Sequence, residues 1–232
     1  LSLIPLHVRD NVTDSGFMYD GTLGGRVGLI RYGNCDPIYP QGFQVDVDAA
    51  AQLRLSFEQE MDVQATDYRV GVPFTYGWGN KQIKFGYWHV SSHLGDEFLI
   101  KNMAFPRLNY AKDSLQFGYA QYVTDDVRVY AEASWAFWSD IAEPWEFQFG
   151  VDWAPRCPTG IYGAPFAAAN ANLRQEVNFG GNIVLQAGWA WRSAANGGLF
   201  RLGVHYYNGE SSQRSFFDEF EEQIGFGVWY DY

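Results

Sequence analysis

The densest run of side chains able to do chemistry is Tyr87-Trp88-His89-Val90-Ser91-Ser92-His93-Leu94-Gly95-Asp96-Glu97-Phe98. His89 and Ser91 stand two residues apart, so on a strand they share a face. A serine hydroxyl is a weak nucleophile until an imidazole takes its proton and a third polar group orients that imidazole. The same run offers His93, Asp96 and Glu97 as a candidate metal set, the two carboxylates being hard oxygen ligands of the kind calcium takes. His89 and His93 lie about 13 Å apart on a regular strand, too far to share one ion unless the chain turns between them. The bland reading of the run is a hydrogen-bonded network that fills a barrel interior and fixes strand register.

Two strand phases compete. Continuing Ile83, Phe85 and Tyr87 puts His89, Ser91 and His93 on the apolar face. Starting from Trp88, Val90 and Leu94 puts the same three residues on the opposite face. The conflict suggests a bulge near residues 86–88.

The elements that would position these residues are strands. In Gln44–Glu58, Val45, Val47, Ala49, Ala51, Leu53, Leu55 and Phe57 share one face, while Gln44, Asp46, Asp48, Gln52, Arg54 and Glu58 share the other. Segments 127–135, 145–153, 183–192 and 200–206 alternate likewise, with Trp or Tyr at their ends. Weaker candidates lie at 22–31, 66–76, 81–93, 98–108, 114–123 and 173–180. Residues 223–232 alternate up to a terminal aromatic, a pattern similar to the closing strand of bacterial outer-membrane barrels. Turn signals at 76–80, 124–126, 195–198 and 208–209 separate the segments. Residues 1–20 lack a clean period and read as an N-terminal arm or plug, and 154–172 as a long Pro- and Ala-rich loop. The sum is one all-β domain over 1–232: a closed antiparallel transmembrane β-barrel of about twelve strands, with ten as the alternative and both termini on the periplasmic side.

Composition agrees. Aromatics are 18% of the chain, 25 residues are Gly and only 3 are Met, which favours strands and tight turns over helices. No run of eighteen apolar residues exists, so a transmembrane helix is excluded, whereas a barrel hides from hydropathy because its two faces cancel. The net charge of −11 argues against nucleic acid as a partner. Membrane lipids and other envelope proteins are the expected partners, and the bacterial outer membrane the expected location. The chain begins without Met or a visible export signal, as expected if a signal has been removed. Cys35 and Cys157, each in a Pro-flanked loop, are candidates for one disulfide. Asp46, Asp48, Arg54, Arg128 and Glu132 are expected to form a luminal network of ion pairs. The acidic run 218–222 reads as a solvated loop.

His89-Val90-Ser91 resembles the His-x-Ser pair that outer-membrane phospholipase A and the lipid A deacylase carry on a barrel strand, with a third polar member about a dozen residues downstream. That resemblance implies a lipid esterase with Ser91 as nucleophile, His89 as base and Asn102 as the nearest candidate for the third role, one residue out of phase. More widely, Asp67-Tyr68-Arg69-Val70-Gly71-Val72-Pro73, Ser91-Ser92-His93-Leu94-Gly95-Asp96-Glu97 and Tyr206-Tyr207-Asn208-Gly209 resemble a family of bacterial outer-membrane proteins whose domain is of unknown function. This second resemblance covers most of the chain from about residue 40, implies the barrel and its location, and implies no activity. Two functions stay open: a non-enzymatic barrel acting as a narrow pore or as an envelope docking component, and an outer-membrane lipid esterase.

Overall fold

Twelve antiparallel strands close into one barrel in the computed structural model, which describes the chain apart from residues 11–14, 35, 37–39 and 232. They are β1 (Ser2–Asp10), β2 (Gly16–Gly33), β3 (Gly42–Ser56), β4 (Asp62–Trp78), β5 (Lys81–Leu94), β6 (Ala111–Tyr122), β7 (Val127–Ser139), β8 (Trp145–Trp153), β9 (Ala164–Arg174), β10 (Gly180–Arg192), β11 (Leu199–Glu210) and β12 (Phe220–Asp231). Each pairs with its sequence neighbours, and β1 pairs with β12, so no sheet edge is left open. One helix, α1 (Asp96–Lys101), follows β5. No helix among the described residues is long and apolar enough to cross a membrane, which says nothing about the strands.

The segment expected as an N-terminal arm is instead a closing strand. Ile4, Leu6 and Val8 of β1 are buried in a cluster with Met18, Phe166, Leu199 and Trp229, while Leu3 lies exposed on the other face. The outward side chains of β1 are Leu3, Pro5, His7 and Arg9, so its apolar face points inward and its more polar face outward, the reverse of most other strands. Pro5 has no N–H to give, and the β1–β12 register skips from Leu3↔Val228 to Leu6↔Gly225 around it. A Cβ on Gly225 would lie 2.4 Å from the Pro5 carbonyl oxygen, so this crossing requires glycine. Other boundaries move too. Residues 98–108, a weak strand candidate, hold part of α1 and a loop; β9 begins at Ala164 within the expected long loop; and Asn208-Gly209 lies in the last turnless residues of β11.

The outer face is a broad apolar surface. Leu23, Val27 and Tyr32 on β2, Phe85 on β5, Phe117 on β6, Phe149 and Val151 on β8 and Ile224, Phe226 and Val228 on β12 are all exposed. The inner face carries polar and charged residues, many of them buried. This is the inverse of a soluble barrel and the arrangement of an outer-membrane-type barrel.

At the barrel end away from Leu1, α1 and a 3-10 turn at Arg214–Phe216 fold together. Phe98, Phe105 and Phe216 meet edge to face at 5.3–5.4 Å, packed with Ala65 and Leu94. Below them, Ser92 donates to Asp67 and lies 2.7 Å from the Ser215 hydroxyl, and the Arg214 backbone N–H donates to Asp67 at 2.9 Å. These contacts anchor the β11–β12 connection inside that mouth.

Candidate functional site

β5 settles the phase question. Phe85, Tyr87 and His93 are exposed and His89 and Ser91 half-buried, whereas Trp88, Ser92 and Leu94 are buried. His89, Ser91 and His93 therefore face outward with Phe85 and Tyr87. The pairing of β5 with β4 and β6 runs without a register shift, so the bulge expected near 86–88 does not occur. The competing apolar phase arises because Trp88 is a luminal residue, held under Arg69 and Lys84 at 5.1 and 5.3 Å, and Leu94 belongs to the apolar cluster of Phe98 and Phe216.

Register then supplies what sequence spacing does not. His89 lies directly opposite Asp113 of β6. The His89 Nδ1 and Asp113 Oδ1 are 2.8 Å apart. The Tyr87 hydroxyl donates to the same carboxylate oxygen at 2.6 Å. With Nδ1 committed to a carboxylate, the neutral imidazole keeps Nε2 as its basic nitrogen. Ser91 lies one strand repeat further along the same outward face, roughly 7 Å away by backbone rise. The three residue types and the Nδ1–carboxylate contact are those of a Ser-His-Asp constellation.

Asp113 is an outward carboxylate on a largely apolar face, as is Glu222, which lies beside Arg9 and accepts from Tyr206. A charged side chain on such a face is unfavourable if the surroundings are hydrocarbon, and marks a functional candidate for that reason. Its neighbourhood is aromatic: Trp138 is opposite it in register, Tyr87 and Phe137 have ring centroids 6.3 Å apart, and Trp135 and Phe137 6.2 Å.

The remaining candidates fall elsewhere. Asn102 is the C-cap of α1, and its side-chain amide donates to the Phe98 carbonyl at 3.0 Å, away from His89. His93 packs on Tyr68, ring centroids 5.9 Å apart, while Asp96 and Glu97 sit exposed in the first turn of α1. Among the described residues, no three His, Cys, Asp or Glu side chains are grouped to hold a metal ion. Cys157 lies in the β8–β9 connection; Cys35, and with it the expected disulfide, lies outside the described residues.

Of the five charged residues expected inside the barrel, Asp48, Arg54, Arg128 and Glu132 are ion-paired there, while Asp46 accepts from a neutral side chain. Arg54 makes a bidentate contact with Asp20 at 2.8 and 2.8 Å and reaches Glu221 at 2.6 Å. Arg128 pairs with Asp152 at 2.9 Å, Glu132 with Lys84 at 2.5 Å and Asp48 with Arg26 at 3.4 Å, and Asp46 accepts from Gln44 at 2.5 Å. Nearer the mouth at α1, Glu146 meets Lys112 and Arg214, the latter at 2.9 Å. Burial works against the Arg214 cation, but Glu146, Tyr110 and Glu176 beside it outweigh that and hold its pKa above the usual arginine range.

Sequence reasoning missed Asp113 and Tyr87 as parts of one site. Sixteen residues separate β5 from β6, so no hairpin rule fixes which residue of β6 faces His89. An outward-facing Asp between Ala111 and Leu115 was the available signal.

A closed twelve-strand barrel with an apolar exterior, an ion-paired interior and a polar constellation on its outer wall defines an outer-membrane-type β-barrel protein. Over residues 18–232 the chain matches the family described as protein of unknown function DUF1207, and it belongs to that family. No curated protein sequence matches it. Among solved structures it is similar to outer membrane phospholipase A from Escherichia coli, at 12% identity and TM-score 0.67, covering 98% of this chain and 88% of that one. It is also similar to the Salmonella typhi outer membrane phospholipase dimer with bound calcium, at 14% identity and TM-score 0.66 over the same shares of 98% and 88%. A KdgM porin in complex with disordered oligogalacturonate matches at 11% identity and TM-score 0.50, covering 100% and 99%. At such identities these likenesses speak for the fold alone.

Proposed function

We propose that this barrel is an outer-membrane lipid esterase in which Ser91 is the nucleophile, His89 the general base and Asp113 the group that orients and stabilises the imidazole. The observation that carries the reading is the 2.8 Å contact between His89 Nδ1 and Asp113 Oδ1 on the outward face, one strand repeat from Ser91. The belt of Tyr87, Trp135, Phe137 and Trp138 supports it, because aromatic girdles lie at the membrane–water boundary, the level at which lipid ester bonds sit.

In the reaction, Ser91 Oγ attacks the ester carbonyl as its proton passes to His89 Nε2. Asp113 stabilises the imidazolium. Collapse of the tetrahedral intermediate breaks the carbonyl–alkoxy bond, and His89 returns the proton to the departing alcohol. Water, deprotonated by the same imidazole, then attacks the acyl-Ser91 carbonyl, the acyl–Oγ bond breaks, and His89 returns the proton to Ser91 as the fatty acid leaves.

The test is fatty-acid release from phospholipid in detergent micelles, with calcium and with EDTA, by the purified chain and its Ser91→Ala variant. Release that falls by roughly 10³-fold or more in the variant is expected. No release from folded, heat-modifiable protein sinks the reading.

The narrow-pore reading draws on a different observation. The interior holds cavities of about 440, 410 and 380 Å³, the last lined by Arg26, Arg69, Lys84 and Arg128. Discrete conductance steps in a planar bilayer would support that reading, and a silent bilayer holding inserted protein would remove it.

A further inference from the structure

The outer wall carries a groove beside the constellation, and we propose that it receives the acyl chain of the glycerophospholipid whose ester carbonyl Ser91 attacks. The inference rests on the esterase reading. Along β3 the outward side chains are Phe43, Val45 and Val47 toward one end, Leu53 and Leu55 toward the other, and Ala49 and Ala51 between them. The two alanines leave a depression of about 330 Å³, walled by Leu23 of β2 and by Tyr68 and Val70 of β4, that ends at His89 of β5.

Register aligns this groove with the reacting groups. One lateral row runs Leu23, Ala51, Tyr68, Ser91, and the next runs Ala49, Val70, His89. From Leu23 to Ser91 is three strand spacings, roughly 14 Å. A chain lying along the first row places its carboxyl end over Tyr68 and Ser91. The Tyr68 ring stands over that end, packed on His93 at 5.9 Å, where it can flank the ester.

The walls select the occupant. Apart from the His89 ring and the Tyr68 hydroxyl, the outward side chains are hydrocarbon, so a sugar or a free anion finds no partner there. Its small-residue floor on β3 is the single pair Ala49 and Ala51, roughly 7 Å of strand, which suits a single acyl arm of a glycerophospholipid better than a many-chained glycolipid.

The experiment measures Ser91-dependent hydrolysis of dibutyryl-, dioctanoyl- and dipalmitoyl-phosphatidylcholine in mixed micelles. The proteins are the wild-type chain, Ala51→Phe, the milder Ala49→Leu, and Ala131→Phe on the outward face of β7 as a control. Folding is checked for each by heat-modifiable migration, and Ala49→Leu serves if Ala51→Phe does not fold. The wild-type chain is expected to favour the palmitoyl substrate. Filling the groove should cut palmitoyl hydrolysis by roughly tenfold or more, with butyryl hydrolysis unchanged and Ala131→Phe neutral. An unchanged palmitoyl-to-butyryl ratio in a folded groove variant overturns the acyl site and leaves the esterase standing. Absence of Ser91-dependent release from every substrate overturns the esterase, and the acyl site with it.

Discussion

Two groups of charged residues in this barrel use the same chemistry in opposite settings. Inside, Arg54 is 3% exposed and satisfies two carboxylates at once, Asp20 and Glu221. Outside, Asp113 is 23% exposed and takes only His89 and Tyr87. The inner group links β3 to β2 and, past β2 and β1, to β12, so it braces strands that are far apart in sequence. The outer group spans one adjacent strand pair that the backbone ladder already holds. A pair that the fold does not need, placed where a charge is unfavourable, is better explained by chemistry than by stability.

The largest expected effect tests that contrast with opposite signs. Asp113→Leu removes the group that holds the His89 tautomer, and lipid hydrolysis should fall roughly 10³–10⁴-fold. Stability should stay level or rise by up to about 1 kcal/mol, since a carboxylate leaves a largely apolar outer face. Urea titration of the heat-modifiable band, run beside fatty-acid release, reads both quantities. A marked loss of stability would make Asp113 a structural residue and dissolve the comparison.

Arg54→Ala should show the reverse. It leaves two buried carboxylates without their cation, and the expected cost is about 3–5 kcal/mol in the same titration. Asp20→Asn with Glu221→Gln in the Arg54→Met background should recover much of it, because the pair is then replaced rather than broken. Hydrolysis per folded molecule should not change. If it does, the inner network reaches the outer wall through β3, and the two regions are not independent.

How much of this was legible follows the same divide. The barrel could be read because most strands set an apolar face against a polar one, as β3 does from Val45 to Leu55, whereas the expected total of twelve counts 98–108 and 173–180 in place of β1 and β9. β1 could not be read, because Ile4, Leu6 and Val8 pack inside while Leu3, Pro5, His7 and Arg9 face out, which inverts the polarity that marks the other strands. The phase of β5 failed for a related reason: Trp88 and Leu94 are luminal but apolar, and so mimic an outer face. His89 and Ser91 were visible because they are neighbours on one strand. Asp113 was not, because its proximity to His89 is a property of β5–β6 register. The loop that includes α1 hides that register, and Asn102, close in sequence, is turned to Phe98.

The smallest effect sharpens the outer region itself. Tyr87 donates to the Asp113 oxygen that also faces His89. If the hydroxyl helps hold that carboxylate in place, Tyr87→Phe removes one hydrogen bond while keeping the ring packed against Phe137. The expected loss in hydrolysis is about two- to tenfold, the range of one modest hydrogen bond. It should be absent in the Asp113→Leu background, where the acceptor is gone. Kinetics of the two single variants and the double variant form the cycle that measures this coupling. Additive losses would place Tyr87 with the aromatic belt instead, as packing that happens to stand beside the site.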